Sequence, residues 1–72
     1  MTNTEKLNDY IVKSGYTRNY IAKAIGITRH SLYLKIRNFT EFKASEIEAL
    51  CRLLCIDDPA ERDAIFFAIK VD

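Results

Sequence analysis

The chain has 72 residues, of which 49% are hydrophobic and 29% charged, with two glycines, one proline and a formal net charge of +1. This length suits one small domain, here residues 1–72, and so little Gly and Pro favours an all-helical fold without long loops. No apolar run is long enough to span a membrane and no signal peptide opens the chain. We therefore expect a soluble cytoplasmic protein with no membrane partner.

The charges are unevenly distributed along the chain. Residues 10–40 contain six Lys or Arg and no acid, whereas residues 41–72 contain eight acids and four bases. The N-terminal half is therefore expected to present a positive field that suits a nucleic acid. An ordinary solvated surface with accidental clustering is the alternative.

The first predicted helix begins at about residue 3 or 4 and ends at residue 14. Leu7, Tyr10 and Ile11 recur at helical spacing, and Gly15 follows as a helix stop. Further along the chain, Phe39 and Phe42 fall in a connecting loop over about residues 38–43, where we expect both rings to enter the core.

Residues 17–37 predict two short helices, over about 18–25 and 29–37, joined by a tight turn. Gly26 follows the first of them, where the chain most easily adopts the left-handed conformation. Thr17 and Thr28 stand where side-chain hydroxyls cap the two helix N-termini. Two helices joined in this way predict a helix-turn-helix, with a plain helical pair as the alternative.

The run Ile21-Ala22, Ile25-Gly26-Ile27-Thr28 and Leu32 resembles the helix-turn-helix of the Cro/repressor-type (XRE-like) regulators of bacteria and their phages. The resemblance implies a compact five-helix bundle, a lambda-repressor-like DNA-binding domain. It also implies a transcriptional regulator, here in a phage or prophage lysis–lysogeny switch. Two positions depart from the family pattern. Lys35 stands where many relatives have an apolar residue, so Ile36 should take over the packing, and Asn38-Phe39 replaces the common Asn-Gly.

The outward side of the third helix is the candidate site for operator DNA. By the resemblance, Arg29, His30, Tyr33 and Leu34 fall where family members touch base edges, and Arg18 where they touch phosphate. An Arg suits a guanine edge, and Leu or Tyr can meet a thymine methyl. Thr17 can hold a phosphate, and Lys43 and Asn38 can add backbone contacts. The candidate DNA-binding residues are Thr17, Arg18, Thr28, Arg29, His30, Tyr33, Leu34, Arg37, Asn38 and Lys43.

A protein partner is the alternative for the same surface. Tyr33 and Leu34 make it more apolar than DNA reading requires, and an exposed Tyr/Leu/Arg cluster is typical of a protein-binding hot spot. Some small phage proteins of this fold bind a repressor's DNA-binding surface. The alternative function is therefore an antirepressor that blocks a partner repressor.

Two more helices are predicted in the acidic half. The fourth begins near Ser45, where a capping box with Glu48 is expected, and Ile47, Leu50, Cys51 and Leu54 form its apolar face. The fifth begins after Asp58-Pro59 and ends at about residue 69.

A helical wheel of the fifth helix predicts an apolar band wider than a small bundle covers. It places Ala60, Ala64, Phe67 and Ala68 inward and Phe66 outward. We therefore expect a homodimer through Phe66 and Ile69. The alternative is that the N-terminal residues or the Phe39–Phe42 loop fold over this helix.

The remaining reactive residues do not predict catalysis. Cys51 and Cys55 are expected to be small buried hydrophobic residues, because a cytoplasmic disulfide is rare and a metal site needs more ligands. His30 is the only histidine, and no Gly-rich phosphate loop is present. We therefore expect no enzyme activity, no catalytic residue, no metal and no cofactor.

Overall fold

The computed structural model describes residues 1–68, and every regular element in that part of the chain is an α-helix. The five helices are α1 (Thr4–Ser14), α2 (Arg18–Ile25), α3 (Arg29–Ile36), α4 (Ala44–Leu53) and α5 (Pro59–Phe66). α2 packs against both α3 and α4, and α1 packs against α5. The prediction of an all-α fold with five helices is confirmed. No helix within residues 1–68 combines the length and the hydropathy that crossing a membrane requires.

Local signals fix the helix ends. The Thr17 hydroxyl accepts a hydrogen bond from Tyr20 N–H (3.1 Å), and the Thr28 hydroxyl accepts one from Ser31 N–H (3.0 Å), as predicted. Asn3 and Asp58 cap α1 and α5 in the same way. Gly15 and Gly26 end α1 and α2 in the left-handed conformation, with φ of 76° and 83°. Both ends of α1 and α2 and the start of α3 therefore follow from short-range chemistry.

Each helix contributes one side chain to the centre of the core. These five side chains are almost completely buried: Leu7, Ile21, Leu32, Leu50 and Ile65. Around them lie further aliphatic residues, and the ring of Phe42 meets that of Phe66 edge-on, with 5.6 Å between centroids. Burial of this apolar surface is the main force that holds the short helices together.

A buried ion pair joins α3 to α4. Lys35 Nζ donates to Glu46 Oε1, and each side chain is less than a tenth exposed. Glu46 also accepts from the backbone N–H of Lys43 (2.9 Å). Burial raises the pKa of Glu46, but these hydrogen bonds and the positive charges of Lys35 and Lys43 outweigh it, so the pKa lies below its usual value. Lys35 is thus a core residue alongside Ile36.

The predicted capping box between Ser45 and Glu48 is wrong. α4 begins at Ala44, and Glu46, rather than Glu48, accepts from the residue that precedes the helix. The physical reason is the Lys35 ammonium, which holds Glu46 inside the protein. Glu48 instead pairs with Arg52 on the exposed side of α4, at 3.0 Å.

The first three residues form a strap between the ends of α3 and α5. Asn3 N–H donates to the carbonyl of Ile65 (2.6 Å), and Ala68 N–H donates to the carbonyl of Met1 (2.9 Å). At the other side, the Asn38 amide accepts from Thr2 N–H (2.7 Å) and donates to the Thr2 carbonyl (2.9 Å). Asn38 adopts φ of 65°, which Asn tolerates better than most residues. The chain start therefore belongs to the folded structure.

The prediction for helix 5 is wrong at its end. α5 stops at Phe66, because the chain turns away there and both the Ile65 carbonyl and Ala68 N–H are bonded to the strap. Phe66 is only 3% exposed, whereas Phe67 is 56% exposed, so the predicted sides of these two rings are reversed. Phe42 and the strap cover Phe66, as the alternative anticipated. Ile69, the other predicted interface residue, lies outside the described residues.

Two further predictions of burial are wrong. Phe39 is 69% exposed, because the left-handed turn at Asn38 leads it away and only Phe42 reaches the core. Cys55 is exposed at the end of α4, again in the left-handed conformation, while Cys51 is half-buried.

We predict that Lys35→Met lowers the free energy of unfolding by about 3 kcal/mol, because it leaves the Glu46 carboxylate buried without its cation. Urea denaturation at pH 7 measures this loss. The matched control is Arg52→Met, which removes only an exposed pair and should change stability by less than about 0.5 kcal/mol. Folding lowers the pKa of Glu46. The stability that the ion pair contributes to the wild type is therefore fully present above the usual glutamate pKa, and it is lost as the pH falls through the lowered pKa of Glu46. Equal effects of the two substitutions would contradict this account.

We predict that Cys55→Gly stabilises the protein by about 0.5–1 kcal/mol. Position 55 has φ of 58°, where a β-carbon is unfavourable and glycine is not. The exposed thiol takes no part in the core, and the bond from Ile56 N–H to the Cys51 carbonyl (2.8 Å) should persist. Thermal denaturation of Cys55→Gly beside Cys55→Ala provides the comparison. A gain of the same size in Cys55→Ala would refute the backbone explanation.

Candidate nucleic-acid interface

The connection between α2 and α3 is short and internally bonded. Ile27 N–H donates to the Ala22 carbonyl (2.9 Å), and Gly26 N–H donates to that of Lys23 (3.2 Å). Ala22 is buried where α2 meets the rest of the bundle, and Ile27 packs on the edge of the core. The position of α3 relative to α2 is therefore fixed by both packing and backbone hydrogen bonds.

α3 presents one side to solvent, and this side is largely the predicted one. Leu32, Lys35 and Ile36 are buried, while Arg29, His30, Tyr33 and Arg37 are exposed. Leu34 is half-buried, so it lies at the edge of this surface.

Two exposed side chains of α3 and that of Arg37, directly after it, are stacked on one another. The His30 and Tyr33 rings are nearly parallel, with 6.4 Å between centroids and an interplanar angle of 17°. The guanidinium carbon of Arg37 lies 5.6 Å from the Tyr33 centroid, within the range of a cation–π contact. Such contacts restrict the rotamers of Tyr33 and Arg37 before any partner binds, which lowers the entropy cost of binding.

The cations around α2 and α3 are not neutralised by acids. The four ion pairs among residues 1–68 engage Lys6, Lys35, Arg52 and Arg62. In the same part of the chain, six exposed cations of the predicted basic half and its boundary form no ion pair: Lys13, Arg18, Lys23, Arg29, Arg37 and Lys43. Arg18 Nη2 donates to Asn8 Oδ1 (3.1 Å), which orients the guanidinium without cancelling its charge. This surface can therefore attract a polyanion.

Several predicted site residues also have structural roles. The hydroxyls of Thr17 and Thr28 accept capping bonds, yet each hydroxyl still has a proton to donate. The amide of Asn38 is bonded on both sides to Thr2, so its side chain holds the strap. Lys43 contributes its backbone N–H to Glu46 and keeps its ammonium exposed.

An aromatic pair at the start of α2 was not predicted from the sequence. Tyr16 and Tyr20 are both exposed and tilted against each other, with 4.9 Å between ring centroids. Tyr20 also lines a concave surface between α2 and α3, together with Lys23, Thr28 and Arg29. The i, i+4 spacing of the two tyrosines around Arg18 was the available signal.

Comparisons of the chain with protein-family models, with curated proteins and with solved structures gave no match. The resemblance to Cro/repressor-type regulators therefore rests on the residues of the α2–α3 stretch.

We predict that Thr28→Ala destabilises the protein by about 1 kcal/mol through loss of the α3 cap, whereas Thr28→Ser does so by much less. The Ser hydroxyl can accept from Ser31 N–H as the Thr hydroxyl does. Thermal denaturation of both variants measures the difference. If Thr28→Ala is as stable as Thr28→Ser, the cap contributes nothing to α3.

Proposed function

We propose that the protein is a transcriptional regulator that binds double-stranded operator DNA with α2 and α3 acting as a helix-turn-helix. The observation that carries this proposal is the set of exposed cations without acidic partners that borders the exposed side of α3. Double-stranded DNA is the polyanion that a short exposed helix can enter through the major groove. The setting, a phage or prophage switch in a bacterial cell, comes from the family resemblance.

In this proposal the residues divide into two roles. Arg29, in the first turn of α3, pairs with a guanine edge, and Tyr33 with Leu34 meets thymine methyl groups. Arg18, Lys23 and Lys43 contact phosphates, as do the hydroxyl protons of Thr17 and Thr28. Phosphate contacts set the register, and the α3 side chains select the sequence.

A second function is supported by the aromatic character of the same region. Tyr33 is 48% exposed beside Arg37, and Phe39, two residues further on, is 69% exposed. Tyr and Arg are the residues that dominate protein-binding hot spots. An antirepressor that covers a partner repressor's DNA-binding surface would use this cluster, without reading DNA.

We predict that Arg29→Ala weakens binding to the preferred DNA sequence by about 1–3 kcal/mol and relaxes the choice of base at one position. The preferred duplex comes from selection of a random DNA library with the wild-type protein, and titration at several salt concentrations measures affinity. Arg52→Ala is the matched control, because Arg52 is also exposed but lies on α4 and already pairs with Glu48. We expect the control to bind as the wild type does.

The same titrations decide between the two functions. If Arg29→Ala weakens binding equally on all DNA sequences, Arg29 contacts a phosphate and not a base. If the library selection yields no preferred sequence, the DNA proposal is wrong. In that case the antirepressor function predicts that Tyr33→Ala weakens binding to a Cro/repressor-type protein by more than about 1 kcal/mol. A protein that binds neither DNA nor a repressor would contradict both proposed functions.

A further inference from the structure

A groove lies between α4 and α5, on residues other than those of the candidate nucleic-acid interface. It encloses about 460 Å³, which falls within the roughly 300–1,000 Å³ of typical ligand sites. None of the residues that line it belongs to α2 or α3. The apolar lining of this α4–α5 groove consists of Ala44, Ile47, Cys51, Ile56, Pro59 and Phe67.

Phe67 is the largest exposed apolar side chain of this lining. It is 56% exposed, whereas Ile47 and Ile56 of the same lining are 8% and 6% exposed. An incoming apolar side chain can therefore contact an aromatic ring and buried aliphatic residues in one place. An open apolar surface of this kind is typical of a site that another molecule covers.

Two of the charged residues that line the α4–α5 groove already have partners. Glu48 pairs with Arg52 at 3.0 Å, and Arg62 contacts its neighbour Asp63 at 3.4 Å. In each pair the two charges are opposite, so each pair contributes little net charge to the surface around the groove.

Two adjacent acids, Asp57 and Asp58, supply the charge that remains. Both are exposed, and neither takes part in an ion pair among residues 1–68. Asp58 accepts a hydrogen bond from Ala60 N–H as the cap of α5, but a backbone N–H does not remove the charge of the carboxylate. One end of the groove is therefore negative, and a positively charged group is complementary to it.

We propose that the α4–α5 groove binds a segment of a partner protein that inserts one large apolar side chain between the two helices and places Lys or Arg against Asp57 and Asp58. The apolar contact supplies most of the affinity, and the two carboxylates set the direction in which the segment lies. This contact does not depend on DNA binding, because it uses none of the α2 or α3 side chains.

The charge of Asp57 and Asp58 argues against other occupants of the groove. A nucleic acid or an anionic lipid surface would bring further negative charge to the two carboxylates. A second copy that used the same groove would bring its own Asp57 and Asp58 into one interface, where their charges would repel those of the first copy.

Selection from a phage-displayed library of random peptides, with the full chain as bait, tests the chemistry of the occupant. The selected peptides should share a large apolar residue with Lys or Arg close to it. One selected peptide, made synthetically, is then the probe for titrations with variants. Its dissociation constant should rise about fivefold or more in Asp57→Lys, because an attraction becomes a repulsion at the surface.

Asp9→Lys is the matched control for that titration. Asp9 is also an exposed acid, and the substitution changes the net charge by the same amount, but the residue lies on α1 and outside the groove. Asp9→Lys should therefore bind the peptide as the wild type does.

The Cys51 thiol shows whether the peptide lies in the groove. In the Cys55→Gly background Cys51 is the remaining thiol, and it is half-buried in the groove lining. Saturation with the peptide should slow the alkylation of Cys51 by iodoacetamide several-fold at fixed pH. A peptide of the same composition in scrambled order should leave the rate unchanged.

Three results would overturn the proposal. One is a selection that yields no binding peptide, or only peptides without Lys or Arg. Another is a peptide whose binding responds equally to Asp57→Lys and Asp9→Lys, which would make the effect one of net charge. The third is a Cys51 thiol that the peptide leaves fully reactive, or one that becomes protected when the protein alone is concentrated, because a second copy would then occupy the groove. None of these results bears on DNA binding, which the titrations with duplex DNA measure separately.

Discussion

The buried ion pair between Lys35 and Glu46 fixes the arrangement of the helices that carry the candidate site. It places a charge at the end of α3 opposite one at the start of α4, and both are shielded from water. Such a pair gains little net stability over apolar residues, but it cannot be broken without stranding a charge. α3 therefore has one acceptable rotation, and that rotation sends Tyr33 and Arg37 to the surface. The start of α4 follows from the same contact, because Glu46 also bonds the N–H of Lys43.

α3 is also held at its two ends by contacts that are not apolar packing. Thr28 caps its start, and Thr4 Oγ1 donates to the Ile36 carbonyl (2.6 Å) at its finish. Asn38, directly beyond, is bonded to the strap at Thr2. A surface held in this way pays less conformational entropy on binding than a mobile one. The stacked side chains on α3 are consistent with a surface arranged before its partner arrives.

The two halves of the chain use charge differently. Around α2 and α3 the exposed cations form no ion pair, so their field extends into solvent. On α4 and α5 the acids are mostly committed: Asp58 caps a helix, and Glu46, Glu48 and Glu61 form ion pairs. The outer surface of that half is left with mixed charge around an apolar groove. One face therefore carries positive charge without ion pairs, whereas the other carries charges of both signs.

Short-range patterns in the sequence were sufficient for the first three helices, for their caps and for the exposed side of α3. The reason is that helical periodicity, a capping hydroxyl and a glycine with positive φ all act within about five residues. The candidate site residues on α2 and α3 came from the family resemblance and stay predictions, whereas the Tyr16–Tyr20 pair and the structural role of Asn38 were not predicted at all. Only the tertiary structure decided where α4 begins, where α5 ends and which phenylalanine is exposed. Each of those outcomes depends on a partner distant in sequence: Lys35 for Glu46, and the N-terminal strap for the end of α5. A helical wheel does not take such distant contacts into account, so it wrongly placed Phe67 inside and Phe66 outside.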